Sequence, residues 1–265
     1  MPTTLVRGQE IKILLLNPNS SSSMTEGMKT ALNDIDLPHS TEIYAYTAPP
    51  TSPASINDAS DIERSTSAVL ADADLIRILR ANSYDGIVVA CYSAHPLVPA
   101  LQSGPATAVT GIFEATVLSA LSLLRPGGKW GIVTTGKFWE GHLSDGVGTF
   151  LGADGNINTN ARFAGVQSTG LDASDFHRGV DPAVVREKLK AATKRLLGAG
   201  DVQVVVMGCA GMAGLEDVIR EAADEARGAA FAYSVLHVID GVRAGVMLVD
   251  HMIRNQRLRP GPKAG

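Results

Sequence analysis

What most narrows the folds open to this chain is an internal echo. Lys12-Ile-Leu-Leu-Leu-Asn17 is matched by Lys129-Trp-Gly-Ile-Val-Thr134, an offset of 129 − 12 = 117 residues, and Val88-Val-Ala-Cys91 by Val206-Met-Gly-Cys209, an offset of 209 − 91 = 118. Two matches at nearly one offset point to a duplicated half. A looser third pairs Gly111-Ile-Phe-Glu114 with His237-Val-Ile-Asp240. It reads as an apolar strand closing on a carboxylate in each copy, and its offset of 240 − 114 = 126 requires insertions.

The echoed runs are short and almost wholly apolar. Each is followed by a polar or glycine-bearing turn and then by helical spacing, the pattern of βα units around a parallel sheet covered on both faces. The chain reads as α/β. Strands are predicted at residues 11–16, 42–46, 86–90, 106–112, 130–134, 161–166, 202–208 and 235–239. Residues 58–80 carry Ile62, Val69, Ala73, Ile76 and Leu79 at roughly helical spacing. Residues 181–197 open with Asp-Pro, a cap followed by proline at the first helical position. The Pro-, Ser- and Thr-rich segment 47–57 is a predicted loop, and 1–9 and 258–265 are predicted loose ends.

With 265 residues, 45% of them hydrophobic, the chain has material for a large core. A net charge of −4 leaves no broad basic surface, and the cluster Arg254, Arg257, Arg259 and Lys263 reads as a solvated tail, so no nucleic-acid partner is expected. The first apolar run is too short for a signal peptide, and no stretch approaches the ~18 apolar residues of a membrane helix, so no membrane partner is expected either. A soluble, cytoplasmic protein is the expectation. Two cysteines cannot staple a secreted domain, and both follow apolar strands, which suits reduced thiols. The chain has no CxxC, no HExxH and no close histidine pair, so no metal site is predicted.

In an open parallel sheet, ligands bind beyond the carboxyl ends of the strands. Cys91 and Cys209 both fall there. A cysteine just ahead of a helix feels the positive end of the dipole, which is expected to lower its pKa from the free value of ~8.5. Tyr92-Ser93 and Ala210-Gly211-Met212, which follow the cysteines, include small residues that let a carbonyl oxygen approach backbone N–H groups and be stabilised as an enolate. If the two halves face each other, one thiolate removes a proton from an acidic carbon and the opposite thiol returns one to the other face. That is cofactor-independent racemisation. Buried free cysteine is also a common core residue. The matched pair is what favours chemistry here.

Six pieces in order, Ile13-Leu-Leu-Leu-Asn-Pro-Asn19, Ala90-Cys91, Val109-Thr-Gly-Ile-Phe-Glu-Ala115, Gly131-Ile-Val-Thr-Thr135, Met207-Gly-Cys-Ala-Gly-Met212 and Val238-Ile-Asp-Gly-Val242, carry a resemblance. The chain resembles the Asp/Glu/hydantoin racemase superfamily, closest to its hydantoin and allantoin racemase branch. The resemblance implies two pseudo-symmetric Rossmann-like halves with parallel sheets, residues 1–113 plus 235–265 and residues 114–234, with the site in the cleft between them. It also implies paired acid and base thiols, no cofactor, a homo-oligomer, and a small-molecule substrate such as a 5-substituted hydantoin or an allantoin-like cyclic ureide. By the same resemblance Asn17 and Asn19 lie in a first substrate loop, with Thr134, Thr135 and Gly136 in its counterpart. Asn17-Pro-Asn19 with four serines after it equally reads as a helix cap.

Glu114 and Asp240 either tune the thiols or are simply acids favoured at helix starts. Bacterial hydantoin racemases usually follow the first cysteine with a Cys-Phe-Gly-Asp-Pro turn, whereas this chain has Cys91-Tyr-Ser-Ala-His-Pro96. His95 there either touches substrate or caps the next helix. Maleate isomerases and aspartate or glutamate racemases of the same superfamily remain alternatives, although a dicarboxylate calls for cationic contacts and no arginine lies in these motifs. A two-lobed binding protein with inert thiols is the reading from another class.

Overall fold

The computed structural model describes residues 9–38, 40–81, 84–103, 108–152, 161–176 and 179–258. The echo becomes two sheets of one design. β1 (Ile11–Asn17), β2 (Thr41–Thr47), β3 (Gly86–Val89) and β4 (Ala108–Gly111) lie in the order β2-β1-β3-β4. β5 (Lys129–Thr134), β6 (Phe163–Ser168), β7 (Val202–Met207) and β8 (His237–Asp240) repeat it as β6-β5-β7-β8. All six pairings are parallel. Central β3 and β7 are buried along their whole length, which is why they are apolar at every position but Gln203. Edge strand β2 instead mixes half-buried and exposed positions.

Ten helices among the described residues link and cover these strands: α1 (Ser22–Ala31), α2 (Ala59–Leu70), α3 (Ala73–Arg80), α4 (Leu97–Gln102), α5 (Ile112–Leu123), α6 (Phe138–Phe150), α7 (Pro182–Leu197), α8 (Glu216–Arg227), α9 (Ala229–Ser234) and α10 (Gly241–Arg257). Helix α7 starts as its Asp-Pro signal predicts, with the Asp181 side chain accepting from the Ala183 N–H. Two helices, α8 and α9, separate β7 from β8 where α4 alone separates β3 from β4 among the described residues. This insertion accounts for the larger third offset. No described helix is long and apolar enough to cross a membrane.

Four readings of the sequence need adjustment. The helix predicted over 58–80 breaks in two, because Asp72 caps α3 by accepting from the N–H groups of Asp74 and Leu75. A side chain that competes for backbone donors in mid-run stops one helix and starts another. The strand predicted over 106–112 is seen as β4, with 106 and 107 outside the described residues, and Ile112 already opens α5. Glu114 therefore sits in the first turn of a helix, while Asp240 ends a strand as the N-cap of α10. Strands β6 and β8 run about two residues later than expected. The other five strands agree to within one residue. Most of the two predicted loose ends, including Arg259 and Lys263, falls outside the described residues.

The two copies interlock through their last helices. Helix α5 follows the first sheet but packs on β7 and β8, and α10 follows the second sheet but packs on β1, β3, β4 and α5. Residues 237–240, expected with the first half, hydrogen-bond as β8 in the second sheet, so the chain crosses back at Gly241. Close approach of α10 needs two glycines. A Cβ on Gly245 would lie 2.7 Å from Val88 Cγ1, and one on Gly86 2.4 Å from Val249 Cγ1. One apolar cluster therefore spans both copies, with Ile13, Val88, Phe113, Trp130, Val206 and Val246 in it.

Candidate active site

Cys91 and Cys209 each stand two residues beyond the carboxyl end of a central strand, β3 and β7. Both line one cavity of about 370 Å³, open solvent at its mouth included. The backbone of Gly208 passes so close to β5 that a Cβ there would lie 2.5 Å from Ile132 Cγ2 and 3.0 Å from the Val133 carbonyl oxygen. Thr134 Oγ1 then donates to the Gly208 carbonyl at 2.8 Å, fixing the turn that aims Cys209 inward.

The two thiols have different polar neighbours. Cys91 Sγ lies 3.6 Å from Ser93 Oγ, and Cys209 Sγ accepts the Gly211 N–H at 3.3 Å. Burial pushes the Cys91 thiol up to about 12, with the Ser93 hydroxyl pulling it down and the Cys209 thiol and Glu114 raising it further. Burial likewise pushes Cys209 up to about 11, against the lowering pull of the Gly211 and Met212 N–H groups. The predicted lowering by a helix dipole is therefore reversed. Helix α4 begins six residues after Cys91 (97 − 91 = 6), and Cys209 is followed by a three-residue 3-10 turn, Ala210–Met212. Such a dipole falls off within about one turn, so desolvation wins.

Of the predicted contact residues, Asn19, Tyr92, Thr135, Ala210 and Gly211 line the cavity with the cysteines, while Asn17, Ser93, Thr134, Gly136 and Met212 do not. Asn17 is fully buried and locks its own loop. Its Nδ2 donates to Asn19 Oδ1 (3.0 Å), the Ser21 carbonyl (3.2 Å) and Thr25 Oγ1 (3.0 Å), and its Oδ1 accepts from the Asn19 N–H. The cap of α1 is Ser21, whose hydroxyl accepts the Met24 N–H, and Asn19 is left at the cavity. The Gly136 carbonyl accepts the Trp139 N–H, and Met212 is buried among the side chains of the second sheet.

His95 takes its helix-cap role. It is buried, and its Nδ1 accepts from the Leu97 N–H at 3.3 Å at the start of α4. Burial, with a smaller push from His142, lowers its pKa to about 4. Glu114 and Asp240 stay off the cavity wall. Burial raises both carboxyls, and Asp240 Oδ1 accepts the Arg243 N–H at 2.8 Å as the cap of α10.

Sequence reasoning missed an apolar wall made of Met24, Ile56, Trp139 and Ala173. Ile56 and Ala173 come from the loops after β2 and β6, and the Ala173 N–H reaches Asn57 Oδ1 at 3.4 Å where the loops meet. Their separation, 173 − 56 = 117, is the first offset of the echo, so the duplication itself held the signal. Among the described residues, no lysine, arginine, aspartate or glutamate lines the cavity. Among the described residues, no group of three or more His, Cys, Asp and Glu is gathered in a way that could hold a metal ion.

The family Asp/Glu/Hydantoin racemase matches residues 13–249. An uncharacterised protein of Schizosaccharomyces pombe is 34% identical, over 92% of this chain and 92% of its own length. A hydantoin racemase of Pseudomonas sp. is 27% identical, over 92% of this chain and 86% of its own. Among solved structures, allantoin racemase from Klebsiella pneumoniae shares the fold with a TM-score of 0.73 at 24% identity, covering 93% of this chain and 89% of that one.

Proposed function

The chain belongs to the Asp/Glu/hydantoin racemase family, and from that premise we propose that it racemises or epimerises a neutral cyclic ureide, a 5-substituted hydantoin or an allantoin-like compound, with Cys91 and Cys209 as acid and base. One observation carries the reading. Two cysteines at equivalent places in the repeated halves line the same cavity.

In this mechanism one sulfur is a thiolate and the other a thiol. The thiolate takes the C5 proton, and the C–H electron pair moves into the adjacent carbonyl to give a planar enolate. In this reading the candidate donor to its oxygen is the backbone N–H of Ala210, on the cavity wall, since the Gly211 and Met212 N–H groups already serve the Cys209 sulfur and carbonyl. The opposing thiol protonates the other face, so the sulfurs exchange states and the reverse reaction uses them in exchanged roles. A thiolate of high pKa is a stronger base than an exposed one, which suits a weak carbon acid. The uncharged lining supports a neutral ring over a dicarboxylate, whose two charges would need cationic partners.

Proton NMR in D₂O tests the proposal by following loss of the C5–H signal from single enantiomers of allantoin and 5-substituted hydantoins. The expected result is exchange above the spontaneous rate that requires Cys91 for one enantiomer and Cys209 for the other, with inversion requiring both. Folded protein that binds a member of the panel tightly yet exchanges none would overturn it in favour of a binding protein.

A further inference from the structure

We propose that Ser93 is a positioning residue for one half of the site: its hydroxyl accepts from the Cys91 thiol and donates to its thiolate, a service that Cys209 lacks. The catalytic part of this assignment rests on the two-thiol reading above; the thiol part stands without it.

The repeat exposes the asymmetry. Each cysteine has its partner two residues on, and the two partners are related by the same offset as the cysteines, 211 − 93 = 118. In the first half that residue is a serine whose hydroxyl lies 3.6 Å from Cys91 Sγ. In the second it is a glycine whose backbone N–H lies 3.3 Å from Cys209 Sγ. The Ser93 N–H donates to the Cys91 carbonyl at 3.0 Å, a tight turn that holds the hydroxyl beside the thiol.

Ser93 is fully buried and does not line the cavity, so it meets neither solvent nor substrate. Among the described residues, the Cys91 sulfur is the one hydrogen-bond partner of its hydroxyl. A buried hydroxyl kept without a partner is costly, which makes this contact its structural reason for being there. A hydroxyl both accepts and donates. It accepts from the S–H of the thiol and, on rotation, donates its own hydrogen to the thiolate. A backbone N–H only donates, so the Gly211 N–H serves the Cys209 sulfur as acceptor in either state but takes no hydrogen bond from its S–H.

When the proton leaves Cys91 for substrate or returns to it, the Ser93 hydroxyl turns by one rotamer and no charge is stranded. The direction of its effect agrees with geometry, since this hydrogen bond pulls the Cys91 pKa down against burial. Mirror-image substrates have an equilibrium constant of one, so loss of the hydroxyl must lower kcat/KM equally in both directions. What identifies its site is the thiol it leaves behind.

The test measures alkylation by iodoacetamide from pH 7 to 10.5, quantified separately on the Cys91 and Cys209 peptides, in wild type, Ser93→Ala, Ser93→Gly and Ser93→Thr. Ser93→Ala and Ser93→Gly are expected to slow Cys91 about tenfold at a given pH, one unit of pKa, and to leave Cys209 within twofold. Ser93→Thr restores the hydroxyl and with it the wild-type rate. In the racemisation assay kcat/KM falls about tenfold for both enantiomers, and its pH profile moves up with the thiol.

An unchanged Cys91 profile in Ser93→Gly or Ser93→Ala protein with native circular dichroism overturns the assignment, and so does an equal shift at Cys209. If no substrate is racemised by wild type but Cys91 alone shifts, the hydroxyl's role is upheld and the racemase reading fails.

Discussion

Consider the free protein at pH 8 exposed to iodoacetamide, which reacts with thiolate and not with thiol. A free cysteine with pKa ~8.5 is about one quarter ionised there. With burial holding Cys91 at about 12 and Cys209 at about 11, the thiolate fractions fall to about one in 10⁴ (12 − 8 = 4) and one in 10³ (11 − 8 = 3). Both cysteines should therefore react at least ~100-fold more slowly than free cysteine, and Cys209 about tenfold faster than Cys91. The logarithm of each rate should climb with a slope of one per pH unit from 7 to 10, without a plateau. The measurement is pseudo-first-order alkylation quantified by peptide mass spectrometry, with circular dichroism confirming the fold at each pH. A plateau with an apparent pKa below ~8.5 at either cysteine would mean that local dipoles outweigh desolvation, and the electrostatic account of the site would be wrong.

Three further outcomes follow from buried contacts. Asn17→Ala removes a fully buried amide and strands the Asn19 N–H, so it should cost about 2–3 kcal/mol in urea unfolding; a loss under about 0.5 kcal/mol would place the loop's stability elsewhere. Gly245→Ala puts a Cβ 2.7 Å from Val88 Cγ1 and should cost about 1–3 kcal/mol, while wild-type stability would show that α10 shifts freely. His95 has a folded pKa of about 4 against 6.5, so the unfolded chain binds the proton first as pH falls. Stability should therefore drop between pH 6.5 and 4 by up to about 3 kcal/mol, a slope that His95→Gln flattens. An unchanged slope in His95→Gln would refute that origin.

The fold was legible because burial on both faces leaves a plain mark: β1, β3, β5 and β7 are apolar runs, and two of the four carry a cysteine at their ends. The site was legible only in part. A sequence indicates that Asn17 and Thr134 lie at strand ends and does not indicate which way their polar groups turn. Both turn to backbone or neighbouring side chains, and the cavity receives Asn19 and Thr135 instead. The distance from a cysteine to the next helix start can be counted along the chain, but desolvation cannot, since it depends on Ile56, Trp139 and Ala173 arriving from three separate segments. The sign of the thiol pKa shift was lost for that reason. The break at Asp72 was missed because apolar spacing continues across it, while the competing cap is a matter of one side-chain rotamer.

The duplication suggests a symmetric machine, yet a racemase needs only that both faces be served. With mirror-image substrates the ratio of kcat/KM for the two directions is fixed at one, so the sulfurs are free to differ. If one proton is missing from the pair, a pKa gap of 12 − 11 = 1 unit places about ten thiolates on Cys209 for each one on Cys91. The resting enzyme is then mostly the form that deprotonates the enantiomer whose hydrogen faces Cys209. That enantiomer meets the ready form of the site and should show the lower KM. The other reacts with the minor form, and its KM and kcat should both be higher, in the same proportion. Ser93 acts against this bias by favouring the thiolate at Cys91. Removing its hydroxyl should widen the gap in KM between enantiomers while the two values of kcat/KM stay equal. Unequal kcat/KM values would rule out a simple racemisation of mirror images and indicate an epimerisation, in which a second stereocentre makes the two substrates differ in energy.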